Sequence, residues 1–194
     1  MKLALTSRLI RTLCTLGAVI GLQAAAEDGV SATTILIGQS APLTGSAKLL
    51  GVEMRDGASA YFSQLNASGG IHGRRVKLVS YDDGYEPERT IENTHKLIEQ
   101  DKVFALFGYV GTPTTLAARD IFTDAKVPLF APFTGAEALR APFNRYLFHI
   151  RAGYSDETEK IVRHSLGLSL KRIAVLHQND SYGRAGLVGV EAAL

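Results

Sequence analysis

Short apolar runs rich in β-branched and aromatic residues alternate with longer segments of helical period along most of this 194-residue chain. The runs fall at 35–37, 76–79, 104–107, 127–130, 146–150 and 173–176; the helical segments fall at 52–65, 88–100, 114–125, 156–166 and 182–194. Several of the runs lack the polar alternation of a half-solvated strand, so they read as strands buried on both faces. Parallel strands need crossovers long enough to hold a helix, and those crossovers are right-handed. The pattern therefore predicts an α/β fold with a doubly wound parallel sheet. No long low-complexity linker interrupts it, and no internal repeat is visible beyond the alternation.

The first residues follow a different logic. Lys2, Arg8 and Arg11 precede an apolar run over 12–22, and Gln23-Ala24-Ala25-Ala26 offers small side chains just before Glu27-Asp28. A charged start, a short apolar stretch and small residues at the end make a secretory signal, with cleavage expected after Ala26. The apolar run is about half of the roughly 20 residues a membrane-spanning helix requires. Cys14 is the only cysteine and lies inside this signal, and Arg11 stands where a lipoprotein signal requires an aliphatic residue. The mature chain is expected to carry neither lipid nor disulfide. Without the three signal cations, 18 Lys and Arg remain against 19 Asp and Glu. That balance, with Arg74-Arg75 and Lys171-Arg172 at strand starts, argues against a nucleic-acid partner.

Open parallel sheets bind ligands at the carboxyl ends of their strands, where helix N-termini present free N–H groups. Three turns are placed to share such a cleft: 41–45 with Leu50-Gly51, 108–115, and 131–135. Their hydroxyls and backbone groups suit a zwitterion, with its carboxylate at a helix N-terminus and its ammonium against carbonyl oxygens. Thr112-Pro113 reads as an N-cap followed by proline in the first turn, and Gly69-Gly70 as the left-handed end of the preceding helix. Asn66-Ala67-Ser68 fits a glycosylation sequon, but at a helix end it reads as a cap. His72, His95, His149, His164 and His177 show no paired ligand spacing, so no metal is expected. Neither a nucleophile elbow nor a phosphate-cradling glycine motif is present, which leaves no catalytic residue and no cofactor to assign.

One stretch goes further. It runs Asn66-Ala67-Ser68-Gly69-Gly70-Ile71-His72-Gly73-Arg74-Arg75, then Tyr81-Asp82-Asp83 with Glu86-Pro87-Glu88, then Phe104-Ala105-Leu106-Phe107-Gly108 into Gly111-Thr112-Pro113-Thr114-Thr115. In order and spacing it resembles the amino-terminal lobe of the leucine/isoleucine/valine-binding protein family, periplasmic receptors that deliver amino acids to ABC importers. The resemblance extends from about Thr34 to Leu194. It implies a type I periplasmic binding protein: an amino-terminal lobe over 27–151, a hinge at 152–155, and the beginning of a second lobe over 156–194, with a helix at 156–166, a strand at 172–177 and a helix at 181–194. It also keeps Tyr81-Asp82-Asp83 as a structural turn.

The resemblance further implies a site. Thr112, beside Gly111, matches a serine that holds the ligand carboxylate through its hydroxyl and N–H. Phe133 matches a residue whose carbonyl meets the ammonium, and Tyr182 matches a tyrosine that reaches across from the second lobe. The chain departs from the pattern at Thr134-Gly135, where the expected hydroxyl aligns with Gly135, and at Leu50, where an aromatic residue often covers the ligand. The expected function is that of a non-enzymatic, monomeric receptor which hands an amino acid to an inner-membrane permease. The competing readings are a ligand-sensing domain of a regulator and a nucleotide-using α/β enzyme. The resemblance also implies a product about twice this length, so the 194-residue chain is expected to be a fragment, loosely packed after about Ser155, with weak ligand binding or none.

Overall fold

A computed structural model describes residues 27–194. The segment read as a signal, with Cys14 and the expected cleavage residue Ala26, lies outside the described residues. The elements in chain order are β1 (Thr34–Ala41), α1 (Lys48–Ala67), β2 (Arg75–Asp82), α2 (Pro87–His95), β3 (Ala105–Phe107), α3 (Thr112–Asp124), β4 (Leu129–Phe130), β5 (Leu147–Phe148), α4 (Tyr154–Gly167) and α5 (Ser181–Ala193). A π-helical turn over Lys96–Gln100 extends α2, and a short 3-10 turn over Glu137–Leu139 lies between β4 and β5.

The five strands form one parallel sheet in the order β2-β1-β3-β4-β5. Strand β1 pairs with β2 along its whole length, from Thr34 opposite Arg75 to Ala41 opposite Asp82. Right-handed crossovers put α1 on one face and the adjacent helices α2 and α3 on the other. Phe62 of α1 meets Phe107 of β3 edge to face, with ring centroids 6.0 Å apart. Under α2 and α3 the core gathers Leu97, Leu106, Tyr109, Phe122, Leu129 and Leu147.

Helix α1 ends where the paired glycines permit. Gly69 and Gly70 take φ of 101° and 71°, and the Gly70 N–H donates to the Leu65 carbonyl at 2.9 Å. Asn66 then ties this end to the next strand, donating to the Val76 carbonyl and accepting from the Val76 N–H, both at 2.8 Å. Its amide therefore serves the helix-to-strand junction.

Three expectations change in detail. Gly111, with φ 107° and ψ 150°, occupies the N-cap of α3, and Thr112 already lies in the first helical turn. Helix α4 begins at Tyr154, so two of the four residues expected in the hinge are helical; the Gly153 N–H donates to Asp156 Oδ2 at 3.3 Å and sets that start. The strand expected at 172–177 does not form. A strand exists only against a partner, and no strand among the described residues pairs with this segment, where Val175 is 38% and Leu176 101% exposed. The two helices flanking it do form, and they pack on each other: Val162 is buried, and Gly189 lies so close to Thr158 that a side chain there would collide with it.

Candidate ligand-binding cleft

In strand order 2-1-3-4-5 the connections leave β1 and β3 in opposite directions, which opens a crevice at the carboxyl ends of these strands. A cleft of about 820 Å³ lies there. Its wall includes Leu50 from the first turn of α1, Gly111 and Phe133 from the turns after β3 and β4, and Tyr154 and Tyr182 from α4 and α5. The structure thus brings four of the expected residues, Leu50, Gly111, Phe133 and Tyr182, to one place.

Each turn is held by specific bonds. Gln39 on β1 donates to the Gly108 carbonyl at 3.2 Å and accepts from the Ser80 hydroxyl at 2.8 Å. The Phe133 N–H donates to the Tyr109 carbonyl at 2.7 Å, which pins the turn after β4 beside the turn after β3. Asp82 fixes the turn after β1: it accepts from the N–H groups of Leu43, Thr44 and Gly84 and from the Thr44 hydroxyl, and Arg89 lies 2.9 Å away. Burial works against its charge, but these bonds outweigh it and hold the Asp82 carboxyl well below the usual carboxylate range. Asp83 beside it is fully buried, and desolvation pushes its pKa up against the bonds it accepts from Tyr85, Ser40 and Thr90. The acid pair therefore builds turns, and among the described residues no group of His, Cys, Asp or Glu is clustered for a metal.

Thr112, Thr134 and Gly135 lie behind the cleft wall. The Thr112 and Thr134 hydroxyls are 2.7 Å apart and only 1% and 0% of these residues is exposed. Thr134 also accepts from the Ala136 N–H at 3.2 Å. The Gly135 carbonyl accepts from the Tyr154 N–H at 2.7 Å, and a side chain at Gly135 would meet the Ala152 carbonyl and the Tyr154 ring. Gly135 thus serves the passage into α4, and the Thr112–Thr134 pair joins the start of α3 to the turn after β4.

The cleft holds groups that sequence reasoning did not single out. Arg151 marks a boundary in the sequence, yet its guanidinium lies 5.4 Å from the Phe133 ring centre and 5.2 Å from that of Tyr154, and it pairs with Glu157 at 2.6 Å. Tyr154 and Tyr182 meet edge to face at 5.6 Å. Tyr85 reaches the cleft from the turn after β2. An aromatic rim with one internally matched ion pair suits a small solute that carries both apolar surface and balanced charge.

A family profile described as periplasmic binding protein matches residues 34–194. The chain belongs to the periplasmic binding protein family. It is 28% identical over 180 residues to the leucine-, isoleucine-, valine-, threonine- and alanine-binding protein of Pseudomonas aeruginosa, covering 92% of this chain and 47% of that protein. Among solved structures it is similar to a "possible leucine/isoleucine/valine-binding protein" from Rhodopirellula baltica, at TM-score 0.80 and 38% identity over 88% of this chain and 45% of the other. It is also similar to the branched-chain amino acid transporter substrate-binding protein of Streptococcus pneumoniae, solved with isoleucine, at TM-score 0.77 and 28% identity over 83% and 47%. The chain spans less than half the length of these relatives. Its five-stranded sheet is that of a type I periplasmic binding protein, and its relatives are solute-binding proteins rather than enzymes. No helix among the described residues is long and apolar enough to cross a membrane.

Proposed function

We propose that this chain supplies the first lobe, the hinge and the start of the second lobe of the substrate-binding component of an ABC importer, and that its cleft takes an amino acid of branched-chain type. The observation that carries this reading is the cleft itself: turns from β1, β3 and β4 face Tyr182 of α5 across one crevice. The names of the Pseudomonas aeruginosa relative and of the isoleucine-bound Streptococcus pneumoniae neighbour support the ligand class. In this reading the signal is removed after Ala26, residues 27–151 form lobe one, 152–155 the hinge, and 156–194 the entry to lobe two. Leu50, Gly111, Thr112, Phe133, Thr134, Gly135 and Tyr182 form or back the site, and no cofactor or nucleic acid takes part. Closure is a population shift driven by contacts that exist only when both sides of the cleft engage the ligand, and the closed monomer docks on an inner-membrane permease.

Thermal unfolding of the purified chain against the standard L-amino acids tests the reading. A ligand present at ten times its dissociation constant adds about 1.4 kcal/mol, which raises Tm by roughly 3–6 °C in a protein of this size. Leucine, isoleucine or valine should produce such a rise and acidic or basic amino acids should not. A flat response to all of them contradicts the proposal.

A further inference from the structure

Tyr85 stands out among the cleft residues because its backbone is strained. It sits at φ 70°, directly after Gly84 at φ 61°, in the left-handed region where a bulky residue is rare and costly. Glycine or asparagine would make the same turn without strain, so the turn alone does not account for a tyrosine there. Asp83 imposes the conformation. This fully buried carboxylate accepts from the Tyr85 N–H at 2.9 Å and is itself fixed by the hydroxyls of Ser40 at 2.8 Å and Thr90 at 3.2 Å. The Glu86 N–H closes the same turn on the Asp83 carbonyl at 3.0 Å.

The turn delivers the ring to one spot. A Cβ placed on Gly111 would come within 2.5 Å of Tyr85 Cε2 and 3.0 Å of Cζ, so the hydroxyl end of the ring lies on the backbone that starts α3. Gly111, at the N-cap, has no side chain to satisfy the first helical N–H groups, and no other side chain among the described residues caps them. Packing on a glycine would be served as well by phenylalanine; a hydroxyl at this place adds a donor beside those N–H groups, on the cleft side. The Thr112 hydroxyl, by contrast, is engaged by Thr134.

We propose that Tyr85 is a ligand-contacting residue of the cleft whose hydroxyl donates to the ligand carboxylate at the start of α3, and that Asp83 is the positioning residue which holds it there. This rests on the reading of the cleft as an amino-acid site. Burial, reinforced by the charge of Asp180, pushes the Tyr85 hydroxyl pKa up, so the group remains a donor through the neutral range.

The test is fluorine NMR of the protein labelled with 3-fluorotyrosine, with the Tyr85 signal assigned through Tyr85→Phe. Each standard L-amino acid is added in turn, and affinities are then measured for the tightest binder and its carboxamide. The Tyr85 signal should move with the amino acid. Tyr85→Phe should bind it about tenfold more weakly, the loss expected for a hydrogen bond to a charged group, and should discriminate less against the carboxamide. Asp83→Asn keeps an oxygen for the Tyr85 N–H and should bind as the wild type does, whereas Asp83→Ala should show the Tyr85→Phe loss. An amino acid that moves the Tyr182 signal but leaves Tyr85 still, or that binds Tyr85→Phe with unchanged affinity and unchanged discrimination, overturns the role of Tyr85 alone. No movement of any tyrosine signal with any amino acid overturns the amino-acid reading and this proposal with it.

Discussion

Replacing Gly111 with alanine should destabilise the protein through two separate terms. Its φ of 107° and ψ of 150° belong to a region open in practice only to glycine, and holding an alanine there costs about 1–3 kcal/mol. The added methyl would also stand 2.5 Å from Tyr85 Cε2 and 2.7 Å from Thr114 Oγ1. The Thr114 hydroxyl is anchored on the Val110 carbonyl at 2.6 Å, so it has little freedom to yield, and overpacking of this kind costs about 1–3 kcal/mol. A total near 4 kcal/mol lowers Tm by roughly 8–16 °C at this chain length. Gly57 is the control: it lies inside α1, and a side chain added there meets nothing within 4 Å. Gly57→Ala should stabilise by about 0.5–1 kcal/mol, because the helix gains propensity without strain. Circular dichroism melts of the wild type and both variants supply the comparison. A Gly111→Ala protein that melts with the wild type, or a Gly57→Ala protein that falls as far as Gly111→Ala, would refute the reasoning.

The remaining predictions concern the core, the buried hydroxyl pair and pH. Phe122→Ala removes a fully buried ring from beneath α3 and should cost about 3–5 kcal/mol in urea unfolding. Thr112→Val deletes one partner of the Thr112–Thr134 contact and should cost about 1 kcal/mol of stability; if its N–H and hydroxyl also hold the ligand carboxylate, binding measured by calorimetry should weaken about ten- to hundredfold in the folded variant. Burial and the charge of Arg140 push the His149 pKa down, against the contact of Nε2 with the Leu139 carbonyl at 3.1 Å and the charge of Glu137, and Nδ1 is buried with no partner among the described residues. Its folded pKa is therefore lowered, so its full contribution is present above about pH 6.5 and declines as the pH drops from there toward the folded value. His149→Gln should flatten that part of a stability-against-pH curve.

Much of the fold follows from local sequence, because short β-rich apolar runs and glycine-ended helices declare themselves without reference to distant residues, although β2 and half of β1 are less buried than expected. Strands at 35–37 and 76–79 extend into β1 and β2, and the Gly69-Gly70 signal ends α1 where expected. The segment at 172–177 fails for a physical reason: its composition is that of a strand, but a strand needs an edge, and residue patterns do not reveal whether one is nearby. In the cleft, residues that follow strands could be placed from topology, as Leu50, Gly111 and Phe133 were, whereas Tyr182 came from the family resemblance alone. Tyr85 and Arg151 could not, because their positions depend on a backbone conformation and on rings contributed by other elements. Gly84 preceding Tyr85 was the available hint of a left-handed turn, but nothing local says where the ring then goes.

The central claim is that one cleft, built by the turns after β1, β3 and β4 and faced by α5, binds an amino acid. Backbone amide chemical-shift mapping with L-leucine, L-isoleucine and L-valine tests it directly, since it reports weak as well as tight binding residue by residue. The account predicts saturable shifts concentrated at Gly108–Thr115, at Phe133–Gly135 and around Tyr182, with little change in β2 and in the far ends of the helices. Saturable shifts centred elsewhere, or none with any of the three amino acids, would contradict it.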